Sequence, residues 1–220
     1  MEALTIWWTR LAGPFGSGIV ISLKVFFLTL LMAIPLGLLV SLGKMSRFKI
    51  IRIPVHIYIT ILRGTPLLLQ MLFVYFAPYS LFGIRSAYSR FVAVIIAFVL
   101  NYSAYFAEIY RGGIQSMSRG QYEAGAVLGF SRAQVFFRII LPQVVKRILP
   151  PVSNEVITLL KDTALVQILG VADLMREANN ITTATFSIVP LAAAGVIYFG
   201  MNFVVERVFH FTEKRLDYYR

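Results

Sequence analysis

The chain has 220 residues and a mean hydropathy of +0.76, with 58% hydrophobic and 14% charged residues, which is more apolar than a soluble core of this length requires. A bilayer is the implied solvent. The net charge of +11 would suit nucleic acid, but the basic residues stand beside apolar runs, where Lys and Arg set membrane orientation, so no nucleic-acid partner is expected. The absence of cysteine excludes disulfides, thiolate metal sites and cysteine nucleophiles.

The opening stretch, "MEALTIWWTRLAGPFGSG", has no basic segment before its first apolar residues and carries Glu2, so it is not expected to be a cleaved signal peptide. Trp7 and Trp8 beside Arg10 suit an interfacial segment. A hydrocarbon core about 30 Å thick needs roughly 20 apolar residues of helix. Five runs meet that requirement: 18–43, 53–78, 90–110, 144–161 and 187–209. Pro35 and Gly37 interrupt the first, Gly64 and Pro66 the second, Pro150 and Pro151 the fourth, and Pro190 with the "AAAG" at 192–195 the fifth. A bent, closely packed bundle follows, because proline frees carbonyls that neighbours must satisfy and small residues admit close backbone approach.

Loop charge gives the sidedness. Lys44, Arg47, Lys49 and Arg52 follow the first run, Arg111, Arg119, Arg132, Arg138, Lys146 and Arg147 separate the third from the fourth, and Arg207, Lys214, Arg215 and Arg220 close the chain. The other side has only Arg10, Arg85, Arg90, Lys161 and Arg176. The positive-inside rule then places the N-terminus outside and the C-terminus in the cytoplasm.

The cytoplasmic stretch 118–142 reads as two short helices with a corner at Gly129, Ser118 and Ser131 as N-caps, and Pro142 at the end. Ala124, Val127 and Leu128 recur on one face of the first helix, and Gln121, Glu123 and Gly125 on another. Taken alone, such a segment also suits an amphipathic connector lying in the headgroups. Its spacing is more specific: Glu123, Ala124 and Gly125, then Gly129, then Ile139, Leu141 and Pro142. This resembles the EAA loop of ABC importer permeases, with Gly125 where the family usually has a second alanine. "RGTPLLLQ" at 63–70, "AEIYRGGIQSM" at 107–117 and "SNEVITLLKDTAL" at 153–165 extend the resemblance to the polar amino acid permeases of the histidine, glutamine and arginine type.

The resemblance implies a single permease domain over 1–220, all-α, with five membrane helices and the type I importer fold, in the bacterial cytoplasmic membrane. It implies an amino acid as solute, two ABC ATPase subunits as motor, an extracytoplasmic solute-binding protein, and a second permease subunit, either a copy or a sister chain. Residues 118–142 would be the coupling loop, gripped by the ATPase through Glu123, Ala124, Gly125, Leu128 and Gly129. No G-x-x-x-x-G-K-[ST] occurs, so ATP and Mg are expected in the partner and no cofactor or metal in this chain, which is not itself an enzyme.

Ionisable groups at mid-bilayer are functional candidates by default. Arg63 and Glu155 each fall about 16 Å from the cytoplasmic edge, and Asn101 at similar depth. His56, Thr60, Arg63 and Gln70 share one stripe, Asn101, Tyr105 and Glu108 a second, Glu155 and Asp162 a third, and Asn154, Thr158 and Lys161 the one beside it. An amino acid needs a cation or amide for its carboxylate and an anion or carbonyl for its ammonium. The resemblance implies that this region of the fourth span and the Asn of the third contribute to a membrane pocket, which makes Asn101, Glu155, Lys161 and Asp162 candidate solute-binding residues, and Thr158 and Arg63 join them by position. Alternatively Arg63 and Glu155 simply neutralise each other, and Glu108 pairs with Arg111. Residues 164–180 read as one external amphipathic helix that either plugs the outer mouth or receives the binding protein through Asp173, Arg176 and Glu177. The rival reading, a secondary transporter or channel using Glu155 and Arg63 as an ion relay, lacks the internal repeats usual in such folds.

Overall fold

The computed structural model describes residues 2–84 and 88–216, with side chains from Ala12 to Arg215, and every element in it is helical. Arg85 and Arg220 lie outside the described residues, as do the side chains of Trp7, Trp8 and Arg10. Helix α1 spans Glu2–Lys44, α2 Lys49–Gly64, α3 Leu67–Phe82 and α4 Arg90–Gln115. Then come α5 (Arg119–Val127), α6 (Arg132–Gln134), a π-helical turn (Val135–Ile140), α7 (Leu141–Asp162), a 3-10 helix (Thr163–Leu169), α8 (Leu174–Thr185) and α9 (Val189–Leu216).

The core forms around α4, whose Val94, Phe98, Tyr102 and Phe106 are buried between α1, α3 and α7. Two glycines set how closely α1 approaches its neighbours. A Cβ on Gly37 would stand 2.8 Å from the Phe106 Cβ, and one on Gly18 would stand 2.7 Å from the Leu174 Cα. Any side chain at either position would push α1 off α4 or α8.

Among the described residues, three helical stretches are long and apolar enough to cross a membrane by themselves: Ala12–Lys44, Arg90–Gln115 and Val189–Arg215. The second expected span is a broken pair, α2 and α3 meeting at 114°, and counts as a fourth if taken as one. Pro66 is the cause. It has no N–H to offer the Leu62 carbonyl and forces Thr65 into extended backbone (φ −123°, ψ 148°). The freed carbonyl accepts instead from Gln70 Nε2 at 2.8 Å and Asn101 Nδ2 at 3.1 Å. Gln70 therefore belongs to this brace rather than to the stripe of His56, Thr60 and Arg63. The fourth expected span corresponds to α7, which is long enough at 22 residues but carries Lys146, Arg147, Glu155, Lys161 and Asp162. It does not qualify as an independently apolar span.

Two further expectations are corrected. Pro142 does not end a helix: α6, the π turn and α7 are continuous, with the Leu141 N–H reaching back to the Phe136 carbonyl. The wider turn accommodates the missing proline donor. Residues 164–180 are not one helix either, because the 3-10 segment stops at Gly170 in the left-handed region (φ 78°) and α8 begins afresh at its Asp173 cap.

Candidate functional site: a coupling helix and a polar face

Helix α5 ends in a Schellman arrangement. Gly129 (φ 80°) sends its N–H to the Ala126 carbonyl, and Phe130 sends its own to the Gly125 carbonyl at 3.0 Å. Ser131 then starts the next helix with a reciprocal capping box, its hydroxyl accepting from the Gln134 N–H while the Gln134 side chain accepts from the Ser131 N–H. Ser118 has the extended backbone of an N-cap, but its side chain makes no capping bond. Gln121 and Gln143 pair their amides at 2.9 and 3.0 Å, tying α5 to α7.

This framework fixes which face of α5 looks outward. Glu123, Ala124, Ala126, Val127 and Leu128 are exposed, Val127 by 87% and Leu128 by 73%. Gly125 is buried, and a Cβ there would stand 2.5 Å from Val135 Cγ2. The expectation that Gly125 belongs to the gripping surface is thus corrected: its missing side chain lets α5 seat on its own bundle. Periodicity marks the faces of a helix and not which one turns inward; Val135, ten residues on, decides that.

Helix α7 turns Asn154, Thr158 and Lys161 outward, with Glu155 and Asp162 half-buried beside them. Asp162 accepts a hydrogen bond from the Tyr102 hydroxyl at 2.7 Å, an anchor the stripes did not disclose. A buried tyrosine seeking a partner for its hydroxyl was the available signal. Thr158 donates to the Asn154 carbonyl in its own helix. Glu155 has no hydrogen-bond or ion-pair partner among the described residues. Arg63 is exposed, lies over the Tyr105 ring at 5.1 Å, and has Glu108 as its ion-pair partner at 3.8 Å. Arg63 and Glu155 thus form no direct ion pair, although the guanidinium acts on the Glu155 carboxylate through space. Glu108 binds Lys44 at 2.5 Å and Arg111 at 2.7 Å, which gives it the structural role expected of it and adds Lys44. Asn101 stands apart from this face: it is 4% exposed and its amide is committed to Leu62 and to Gln70 Oε1 at 3.0 Å.

At the opposite end of the bundle from α5, Asp173 is fully buried rather than exposed. Its carboxylate caps α8, accepting from the N–H groups of Met175 and Arg176, both at 3.1 Å, and from the Tyr198 hydroxyl at 3.3 Å. Burial pushes the carboxyl up to about 6, against the opposing pull of those donors. Among the described residues no cluster of His, Asp or Glu is arranged to hold a metal ion.

Residues 33–218 match the family of binding-protein-dependent transport system inner membrane components. The chain is 36% identical to the arginine transport system permease protein ArtQ of Bacillus subtilis, with 90% of each chain covered. It is also 36% identical to the L-cystine transport system permease protein TcyB of the same organism, over 96% of this chain and 88% of that one. A putative glutamine transport system permease protein of Rickettsia conorii is 34% identical over 90% of this chain and 91% of its own length. Among solved structures, an amino acid ABC transporter crystallised with histidines superposes with a TM-score of 0.87 at 37% identity, covering 96% of this chain and 97% of that one. The methionine transporter MetNI shares the fold, with a TM-score of 0.71 at 14% identity over 98% of this chain and 99% of that one. The long α1, the broken α2–α3 pair and the outward-facing α5 are thus the type I importer permease fold, and the chain belongs to the inner membrane components of binding-protein-dependent transport systems.

Proposed function

We propose that this chain is the membrane-spanning subunit of an ATP-driven amino acid importer in a bacterial cytoplasmic membrane, with its N-terminus outside. Two ABC ATPase subunits, carrying the ATP and Mg, grip the exposed face of α5. A second permease subunit, a copy or a sister chain, completes the passage along α7, and an extracytoplasmic binding protein delivers the solute. The single observation that carries the reading is α5 itself. A short helix locked by a left-handed glycine and a capping box presents Val127 and Leu128 outward, an apolar patch that a partner's cleft would cover. The arginine, glutamine and cystine systems named among the relatives support an amino acid as solute.

Glu155, half-buried beside Asn154, Thr158 and Lys161 and held by no direct hydrogen bond or ion pair among the described residues, favours a solute with a cationic group. The chain is to be reconstituted in liposomes with its ATPase and binding protein. Uptake that requires both ATP and the binding protein is expected. Uptake by the chain alone, driven by an ion gradient, would overturn the reading in favour of the relay.

A further inference from the structure

At the end of the bundle remote from α5, two guanidinium groups from different helices converge on Gly170. A Cβ on that glycine would stand 2.6 Å from Arg176 Nη1 and 2.8 Å from Arg90 Nη1, so the two nitrogens are no further apart than the sum of those distances, 5.4 Å. Gly170 is needed twice over, for its left-handed backbone (φ 78°) and for the space the arginines occupy. Arg90 opens α4 and Arg176 lies in the first turn of α8, and a helix N-terminus disfavours a cation. Neither arginine is paired with a carboxylate among the described residues. Asp173, the nearest acid in sequence to Arg176 apart from Glu177, has both oxygens engaged in capping α8 and in the Tyr198 bond. Two like charges side by side repel, and although Asp173 caps α8 and Glu177 stands in its first turn, neither forms an ion pair with these guanidinium groups among the described residues. One carboxylate seated between them would relieve that repulsion.

We infer that Arg90 and Arg176 form a docking clamp for a surface carboxylate of the binding protein on which this family depends. The inference rests on the functional reading above, which brings that protein to this end of the bundle. Arg90 is exposed and Arg176 half-exposed, so the pair is open to a large partner. It is separate from the α7 face, where the solute is proposed to bind.

The test uses the whole transporter in nanodiscs, once in phosphatidylcholine alone and once with added phosphatidylglycerol, with ATP hydrolysis followed against binding-protein concentration at low and moderate salt. In the double variant Arg90→Gln, Arg176→Gln, the half-saturating concentration of binding protein should rise about tenfold or more and its salt dependence should shrink. Hydrolysis without binding protein should stay unchanged, which also certifies folding. The double variant to Lys, which keeps both charges and loses the planar fork, should retain the salt dependence with a smaller rise of about twofold to threefold. Unchanged half-saturation in the Gln variant would overturn the clamp. So would an effect confined to phosphatidylglycerol membranes, which would reassign the pair to lipid phosphate. If the unmodified transporter did not respond to its binding protein at all, the functional reading would fall with it, a result distinguishable before any variant is compared.

Discussion

Helix α5, at the polar end of the bundle, turns Ala124, Val127 and Leu128 outward, whereas α7, among the apolar helices, turns Asn154, Thr158 and Lys161 outward. Each exposes what its surroundings disfavour. Covering a Val or Leu side chain is worth about 1.5–3 kcal/mol, and a polar group facing hydrocarbon without a partner costs about as much or more. Both surfaces therefore gain from being covered, and the proposed function supplies the covers: a cleft in the ATPase for one, and for the other a second polar face with the solute between them. Their supports differ as well. α5 is held by backbone bonds at Gly129 and by the Gly125–Val135 contact, while α7 is anchored in the core through Val156, Leu159, Leu160 and the Tyr102–Asp162 bond.

The largest effect should come from the outward face of α5. Replacing Val127 and Leu128 together by Asp leaves the internal contacts of α5 in place but puts two charges into the partner's cleft. Retention of the ATPase on the purified permease, and with it ATP-dependent uptake, should fall about a hundredfold. Undiminished retention would mean that the motor engages elsewhere and would erase the contrast between the two helices.

Next in size is Asn101→Leu, which separates a brace from a ligand. Among the described residues, the Leu62 carbonyl would lose one of its two side-chain donors and Gln70 Oε1 its only one, for a loss of about 1–3 kcal/mol in thermal or denaturant stability. A raised KM with unaltered stability would instead return Asn101 to the solute path.

What could be read from the chain beforehand divides along the same line. The corner at Gly129 and the cap at Ser131 were legible because a left-handed glycine and a capping box are local backbone chemistry. The polar grouping of Asn154, Thr158 and Lys161 was legible because helical spacing alone puts them on one side. The break at Pro66 was visible as a kink; its partner was not, since the freed Leu62 carbonyl is met by an Asn101 amide arriving from 39 residues away. Tyr102, 60 residues before Asp162, was hidden for the same reason. Asp173 was misread because a charged residue in a connecting segment is ordinarily exposed, whereas here α1 passes so close at Gly18 that the cap is sealed in.

Glu155→Gln sharpens the comparison from the side of α7. Removing this carboxylate should reduce the preference for arginine over glutamine in uptake by about fivefold to tenfold, the loss expected for one charge-assisted hydrogen bond. Equal preference before and after would detach Glu155 from the solute and leave the polar face with a packing role only.

The smallest effect concerns the outer end, where Asp173 titrates near pH 6 in the folded chain, above its ordinary 3.8. A folded-state value above the unfolded one means that the fold favours the protonated acid, so its contribution is fully present below 3.8 and is lost as pH rises through about 6. Between pH 5 and pH 7 the loss should be about 1 kcal/mol, read as a fall in the thermal midpoint or as faster proteolysis within 174–185. Asp173→Asn keeps one acceptor oxygen for the cap of α8 and has no proton to release, so that pH step should vanish. A step of the same size in the Asn variant would assign it to another group, and α8 would then be held independently of its buried cap.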